Sequence, residues 1–166
     1  IIQCPEKTDF DLIASIDMNL IPVEFGASDW VDDTVFSKYK DIKKVYDSIY
    51  IANYNPIKRQ YVYLKAVKKL VDRFPEYKSA LVCGGWGNTK SVINDLIDSM
   101  NLTGHIDLYE KIDQSNINIL LNKSKVNVLL SLKEGANKSL FEGFFAGTPG
   151  ILLKNNIGVN KNYFNS

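Results

Sequence analysis

The rhythm of apolar and polar positions changes near Lys43. Before it, Ile1 to Ser37 shows no sustained period: Asp11–Ile16 and Leu20–Phe25 read as short strands, and Gly26-Ala27-Ser28-Asp29 as a turn. Beyond it, short apolar runs alternate with stretches of helical period. Tyr46–Ala52 reads as a buried strand, Asn53-Tyr54-Asn55-Pro56 as a turn, and Ile57–Phe74 as a helix with Tyr61, Leu64, Val67, Leu70 and Val71 on one face, stopped by Pro75. Ser79–Cys83 is the next strand, Gly84–Gly87 a turn, and Lys90–Met100 a helix carrying Val92, Ile93, Leu96 and Ile97. His105–Glu110 and Val126–Leu132 follow as strands around a helix at Ser115–Lys123. A last helix, Lys138–Ala146, stops at Gly147 and Pro149 before a fifth strand, Gly150–Lys154.

Near-continuous apolar strands alternating with helices predict an α/β fold: an open, Rossmann-like parallel sheet with helices on both faces. Such sheets bind ligands outside the carboxyl ends of their strands. Four loops lie there: 53–57, 84–89, 111–114 and 133–138.

Composition narrows the partners. With 45% hydrophobic and 11% aromatic residues the chain can build a core, which excludes wholesale disorder. Twenty Lys+Arg against nineteen Asp+Glu leave a net charge of +1, and only Arg59 and Arg73 are arginines, so no nucleic-acid partner is expected. Cys4 and Cys83 fit no metal or redox spacing and read as reduced thiols of a cytoplasmic protein. No apolar run approaches the ~20 residues of a membrane span. Three sequons, at Asn101, Asn122 and Asn137, read as chance in so Asn-rich a chain. The chain opens without Met and stops after Phe164-Asn165-Ser166, so it is expected to be a piece of a longer protein.

The 84–89 loop offers Gly85-Trp86-Gly87 between a strand and a helix, but the third glycine of a dinucleotide fingerprint is absent, and Thr89 stands where a P-loop needs glycine. It reads as a tight turn outside the site. The loop after the fourth strand carries more. Glu134 lies just past the strand, and Glu142 two helical turns, about 10 Å, further on. Between them the start of a helix offers main-chain N–H groups to an anion. A sugar–diphosphate–nucleoside, with hydroxyls at both ends and phosphates between, fits that layout. The plain alternative is two solvated carboxylates.

The string Ser131-Leu132, Glu134-Gly135, Glu142 and Ala146-Gly147-Thr148-Pro149 resembles the C-terminal nucleotide-sugar domain of retaining glycosyltransferases of GT-B architecture, the group 1 type with an E-x7-E motif. The resemblance covers about Lys44 to Ile157. It implies one half of a GT-B molecule, truncated at both ends: residues 1–42 lead in or are a remnant of the N-terminal domain, 43–157 bind nucleotide-sugar, and 158–166 are a truncated end. It further implies that Glu134 holds donor-sugar hydroxyls, that Glu142 holds the ribose, and that main-chain groups of Ala136, Asn137 and Lys138, together with Lys58, hold the phosphates. Lys111 and Ile112 are then expected to face the base. Two positions depart from the family pattern. Asn53 replaces the arginine that precedes Lys58 by five positions, leaving Arg59 or Lys138 to restore the charge, and Ala136-Asn137 replaces an aromatic–glycine pair.

Cations aimed at the diphosphate stabilise the charge that develops there when the sugar–phosphate bond breaks. Lys58 is therefore an expected catalytic residue, and the resemblance implies Glu134 as the other; no metal and no cofactor are expected, and His105 is expected to be structural. The acceptor, a glycan or lipid-linked molecule, is expected on the missing domain, so this piece is expected to bind donor without turnover. Location is expected in the cytoplasm, extending to peripheral association with the inner face of a membrane. Two alternatives stay open: a degenerate, non-catalytic module binding nucleotide-sugar or a partner, and a nucleotide-sugar epimerase of similar fold.

Overall fold

Two parallel sheets organise the structure, a computed structural model that describes residues 1–4, 8–135 and 137–159. The smaller joins β1 (Ile2–Cys4) to β2 (Pro22–Glu24) through helix α1 (Thr8–Ile16). Helix α1 replaces the strand expected at Asp11–Ile16. Its half-buried residues Phe10 and Ile13 are three apart, and Asp9 and Asp11 sit in its first turn, where acidic groups favour a helix start. The strand expected within Leu20–Phe25 is present as β2.

The larger sheet has the order β5-β4-β3-β6-β7, all parallel: β3 (Ser48–Tyr54), β4 (Ser79–Gly87), β5 (Ile106–Glu110), β6 (Asn127–Leu129) and β7 (Gly150–Leu152). Helices α2 (Gln60–Arg73), α3 (Lys90–Ser99), α4 (Gln114–Asn122) and α5 (Lys138–Phe145) alternate with the strands, which is the predicted α/β sheet. Successive strand residues point to opposite faces. Tyr50 and Leu81 thus join Leu64, Val67, Ile93 and Ile97 in one buried cluster, while Ile49, Ala80 and Val82 join Phe36, Leu120 and Leu121 in another. Both faces are covered.

Several sequence expectations shift in phase or length: β3 starts at Ser48 and takes in Asn53 and Tyr54, expected in the turn, and β7 ends at Leu152, short of Lys154. A 3-10 turn at Pro56–Lys58 and the left-handed Arg59 (φ 56°) delay α2 to Gln60, so its buried face is Gln60, Tyr63, Leu64 and Val67 while Tyr61 is exposed. Tyr63 stacks on Tyr50 and hydrogen-bonds Ser48 Oγ at 2.8 Å. Strand β4 runs on to Gly87 because its pairing with β3 bulges after Asn53↔Gly84 and resumes at Tyr54↔Gly87. Gly87 has φ +136°, and a Cβ there would stand 2.1 Å from the Tyr54 carbonyl, so only glycine fits. Strand β6 is shorter than Val126–Leu132, pairing with β3 at Ile49↔Asn127. Cys4 and Cys83 are buried free thiols, and no described helix is long and apolar enough to cross a membrane.

Candidate functional site

A cavity of about 400 Å³ opens at the carboxyl ends of β3, β4 and β5. Its floor is Ile51, Ala52, Val82 and Cys83, and burial pushes the Cys83 thiol up to about 12, leaving an inert wall at neutral pH. Asn53 and Lys58 line it from the end of β3, Lys111 and Ile112 from the end of β5, and Asn137, Lys138 and Ser139 from the start of α5. Three of the four loops expected at the site therefore meet there. So does the fourth: sequence reading excludes the 84–89 turn, yet Gly84 and Gly85 are in the cavity wall. What they contribute is close backbone approach at the β4 bulge, which needs no complete glycine fingerprint.

Local chemistry places each side chain. Asn55 Oδ1 accepts from the Ile57 N–H at 3.0 Å, capping the 3-10 turn that ends at Lys58. The Tyr50 hydroxyl donates to the Lys58 carbonyl from below. Lys58 Nζ then lies 2.8 Å from both carboxylate oxygens of Glu134. Glu134 is buried, and a strap from the chain's far end holds its backbone: its N–H donates to the Ile157 carbonyl at 2.8 Å, while the Ile157 N–H donates to Leu132 at 2.7 Å. Gly158 follows with φ +98°, and a Cβ there would meet the Glu134 carbonyl at 1.7 Å.

Asn137 caps α5, its Oδ1 accepting from the Leu140 N–H at 2.8 Å. One turn along α5, Glu142 is buried with Lys138 Nζ at 3.6 Å. Burial raises its carboxyl above the usual carboxylate range, and Lys138 opposes that only in part. The two glutamates thus each face a lysine that lines the cavity. Arg59 does not join them: its Nη1 lies 3.4 Å from the Leu130 carbonyl and it is outside the cavity lining. Gly135 is an exposed loop residue beside Glu134, and Ala136 lies outside the described residues.

The β4 bulge is itself tied down. Thr89 donates from both N–H and Oγ1 to the Tyr54 carbonyl, at 3.2 and 2.8 Å. The Tyr54 hydroxyl donates to Glu110 Oε1 at 2.6 Å and Lys90 Nζ lies 2.9 Å from Oε2, contacts that hold the Glu110 carboxyl below its ordinary value. His105 stands at the opposite end of the sheet, with Nδ1 3.1 Å from the Tyr77 carbonyl. No group of three His, Cys, Asp or Glu side chains suited to a metal ion occurs among the described residues.

No curated protein matches the chain. Solved structures do. A pneumococcal O-GlcNAc transferase, GtfA, in complex with UDP and GlcNAc superposes with TM-score 0.74 at 15% identity over 96% of this chain and 31% of its own. A variant of TarM from S. aureus, in complex with fondaparinux, α-GlcNAc-glycerol and UDP, gives 0.72 at 17% identity over 96% and 30%. The C-terminal domain of LpcC, a glycosyl transferase group 1 family protein from Francisella tularensis, gives 0.63 at 18% over 74% and 69%. The chain thus spans about a third of the GtfA and TarM chains, and it shares the fold of one Rossmann-like half of a GT-B glycosyltransferase. A family model matches residues 32–165, and on that match the chain belongs to the glycosyl transferases group 1 family.

Proposed function

We propose that this chain is the donor half of a retaining glycosyltransferase that moves a sugar from a nucleotide-sugar to a glycan or lipid-linked acceptor. The observation that carries the reading is the 400 Å³ cavity with Lys58, Lys138 and the start of α5 on its wall and buried Glu134 and Glu142 paired to those lysines. Base and ribose sit toward Lys111, Ile112 and Glu142, the diphosphate at the lysines and the α5 N-terminus, and the sugar toward Glu134. Breaking the bond from the sugar's anomeric carbon to the phosphate oxygen leaves the electron pair on the diphosphate. Lys58, Lys138 and the α5 N–H groups meet that charge, so neither metal nor cofactor takes part.

The small β1–β2 sheet belongs, in this reading, to the acceptor domain. Two parallel strands cannot cover their own faces, and Leu12, Ile16, Ile21 and Val23 are exposed around them. The full protein works in the cytoplasm or at the inner face of a membrane. Binding of UDP by the solved GtfA and TarM structures makes UDP the first probe. Calorimetric titration with UDP, GDP and ADP and their glucose conjugates should show micromolar to millimolar binding of one nucleotide, weakened by Glu142→Ala. A folded chain that binds none of them would refute the donor-site reading.

A degenerate, non-catalytic module is the second reading, and Asn53 favours it. Asn53 stands where the family pattern has arginine, and Arg59, the nearest replacement, turns to the Leu130 carbonyl instead. Sugar transfer by the full-length protein that disappears in Glu134→Ala would eliminate the module.

A further inference from the structure

Lys58 serves two anions. It lines the cavity on the side assigned to the diphosphate, and its ammonium also bridges both oxygens of Glu134. The Glu134 side chain is 6% exposed and that of Lys58 21%. A carboxylate so buried depends on its partner, because one left unpaired keeps its full desolvation cost. The second pair differs: Lys138 and Glu142 are four apart on one helix and 3.6 Å distant, a looser contact with no oxygen bridged at hydrogen-bond length.

A diphosphate that draws the Lys58 ammonium toward its own oxygens weakens the bridge to Glu134. A sugar still attached to that diphosphate brings hydroxyls, which donate to Glu134 and replace what Lys58 withdraws. A bare nucleoside diphosphate brings none. We propose that the Lys58–Glu134 pair is a specificity latch that makes the site hold a nucleotide-sugar more tightly than the bare nucleoside diphosphate left after transfer. Glu134 thereby discriminates substrate from spent product, a role beyond contacting the sugar. The inference rests on the donor-site reading above.

Calorimetry on the chain tests it, with UDP, GDP and ADP as probes. Glu134→Gln keeps the side chain's shape and removes its charge, freeing Lys58. The bare diphosphate that binds should then bind about tenfold more tightly than to wild type. Glu134→Ala should show the same gain and serves as the second variant if the first does not fold. In a Lys58→Ala background the gain should vanish, because the effect passes through Lys58. A folded Glu134 variant that binds the bare diphosphate no more tightly than wild type overturns the latch. So does a gain that persists without Lys58, which marks simple charge repulsion. Wild-type chain that binds none of the three diphosphates nor their glucose conjugates instead refutes the donor-site reading, and the latch with it.

Discussion

The two sides of the large sheet are built by different means. On one side β3 and β4 pair from Ser48↔Ser79 to Tyr54↔Gly87, β5 extends the ladder, and Tyr50, Leu64, Val67 and Leu81 are buried beneath α2 and α3. On the other, β6 and β7 are three-residue strands and β6 meets β3 at one register position. That side carries Glu134, Asn137 and Glu142. Side chains gripping backbone hold it: Asn127 Nδ2 to the Ser139 carbonyl at 2.8 Å, Asn156 Nδ2 to Ser131 at 2.8 Å, and Thr148 Oγ1 to Leu121 at 2.6 Å. Apolar area supplies stability without direction, whereas buried hydrogen bonds fix a loop's place. The first side is scaffold, and the second trades ladder for precise placement.

The contrast breaks most visibly in the scaffold. Leu64→Ala should cost about 3 kcal/mol or more, since the residue is fully buried and its removal leaves a cavity. Denaturant unfolding should show that loss while nucleotide affinity of the folded fraction stays within about twofold. Comparable losses of both would mean the two sides are not separable.

Gly158→Ala is the matching insult to the site side. Its Cβ would strike the Glu134 carbonyl at a positive φ, so the strap must shift, at about 2 kcal/mol. The larger effect should fall on binding: as Glu134 moves away from Lys58, titration should show nucleotide-sugar bound more weakly and the bare diphosphate up to about tenfold more tightly. Unchanged affinity would show that the strap does not position Glu134.

Asn127→Ala sharpens the comparison further. Losing its part-buried bond to the Ser139 carbonyl should cost about 1 kcal/mol, and α5 should lose its anchor at the same end that forms the cavity wall. Hydrogen exchange should speed up in α5 and not in α2; uniform acceleration would count against local anchoring.

The smallest effect is one of pH. The Glu142 carboxyl is raised by burial, so the folded state holds a proton that the unfolded chain has released, and ionising it costs stability as pH rises above about 4.5. Glu142→Gln removes that cost. Its melting temperature should therefore exceed wild type's at pH 7, with the gap closing toward pH 4, while nucleotide binding weakens. A gap that widens on acidification would reverse the assigned sign.

Local pattern sufficed for the sheet and for much of the cavity. Largely apolar runs such as Tyr46–Ala52 and Ser79–Cys83, short and alternating with helical stretches, read as strands buried on both faces, and the turns after them fall at one end of a parallel sheet. Lys111 and Lys138 fall in loops that the sheet reading places at that end, whereas Lys58 is reached through the resemblance to the family. Pattern misplaced α1, where acidic residues interrupt the apolar spacing, and the face of α2, whose phase is set by a left-handed Arg59 that no periodicity reveals.

From the sequence alone follow the α/β class, the alternation of elements from Lys43 onward, and the two glutamates flanking a helix start. These depend on periods of two and 3.6 and on capping chemistry, all local in the chain. Only the tertiary structure decided that Glu134 and Lys58, separated by 76 positions, share a buried ion pair, that Gly84 and Gly85 form the wall, and that Ile157 and Gly158 brace the site from behind. Those are contacts between segments brought together by strand order, and strand order is a property of the packed sheet and not of any stretch within it.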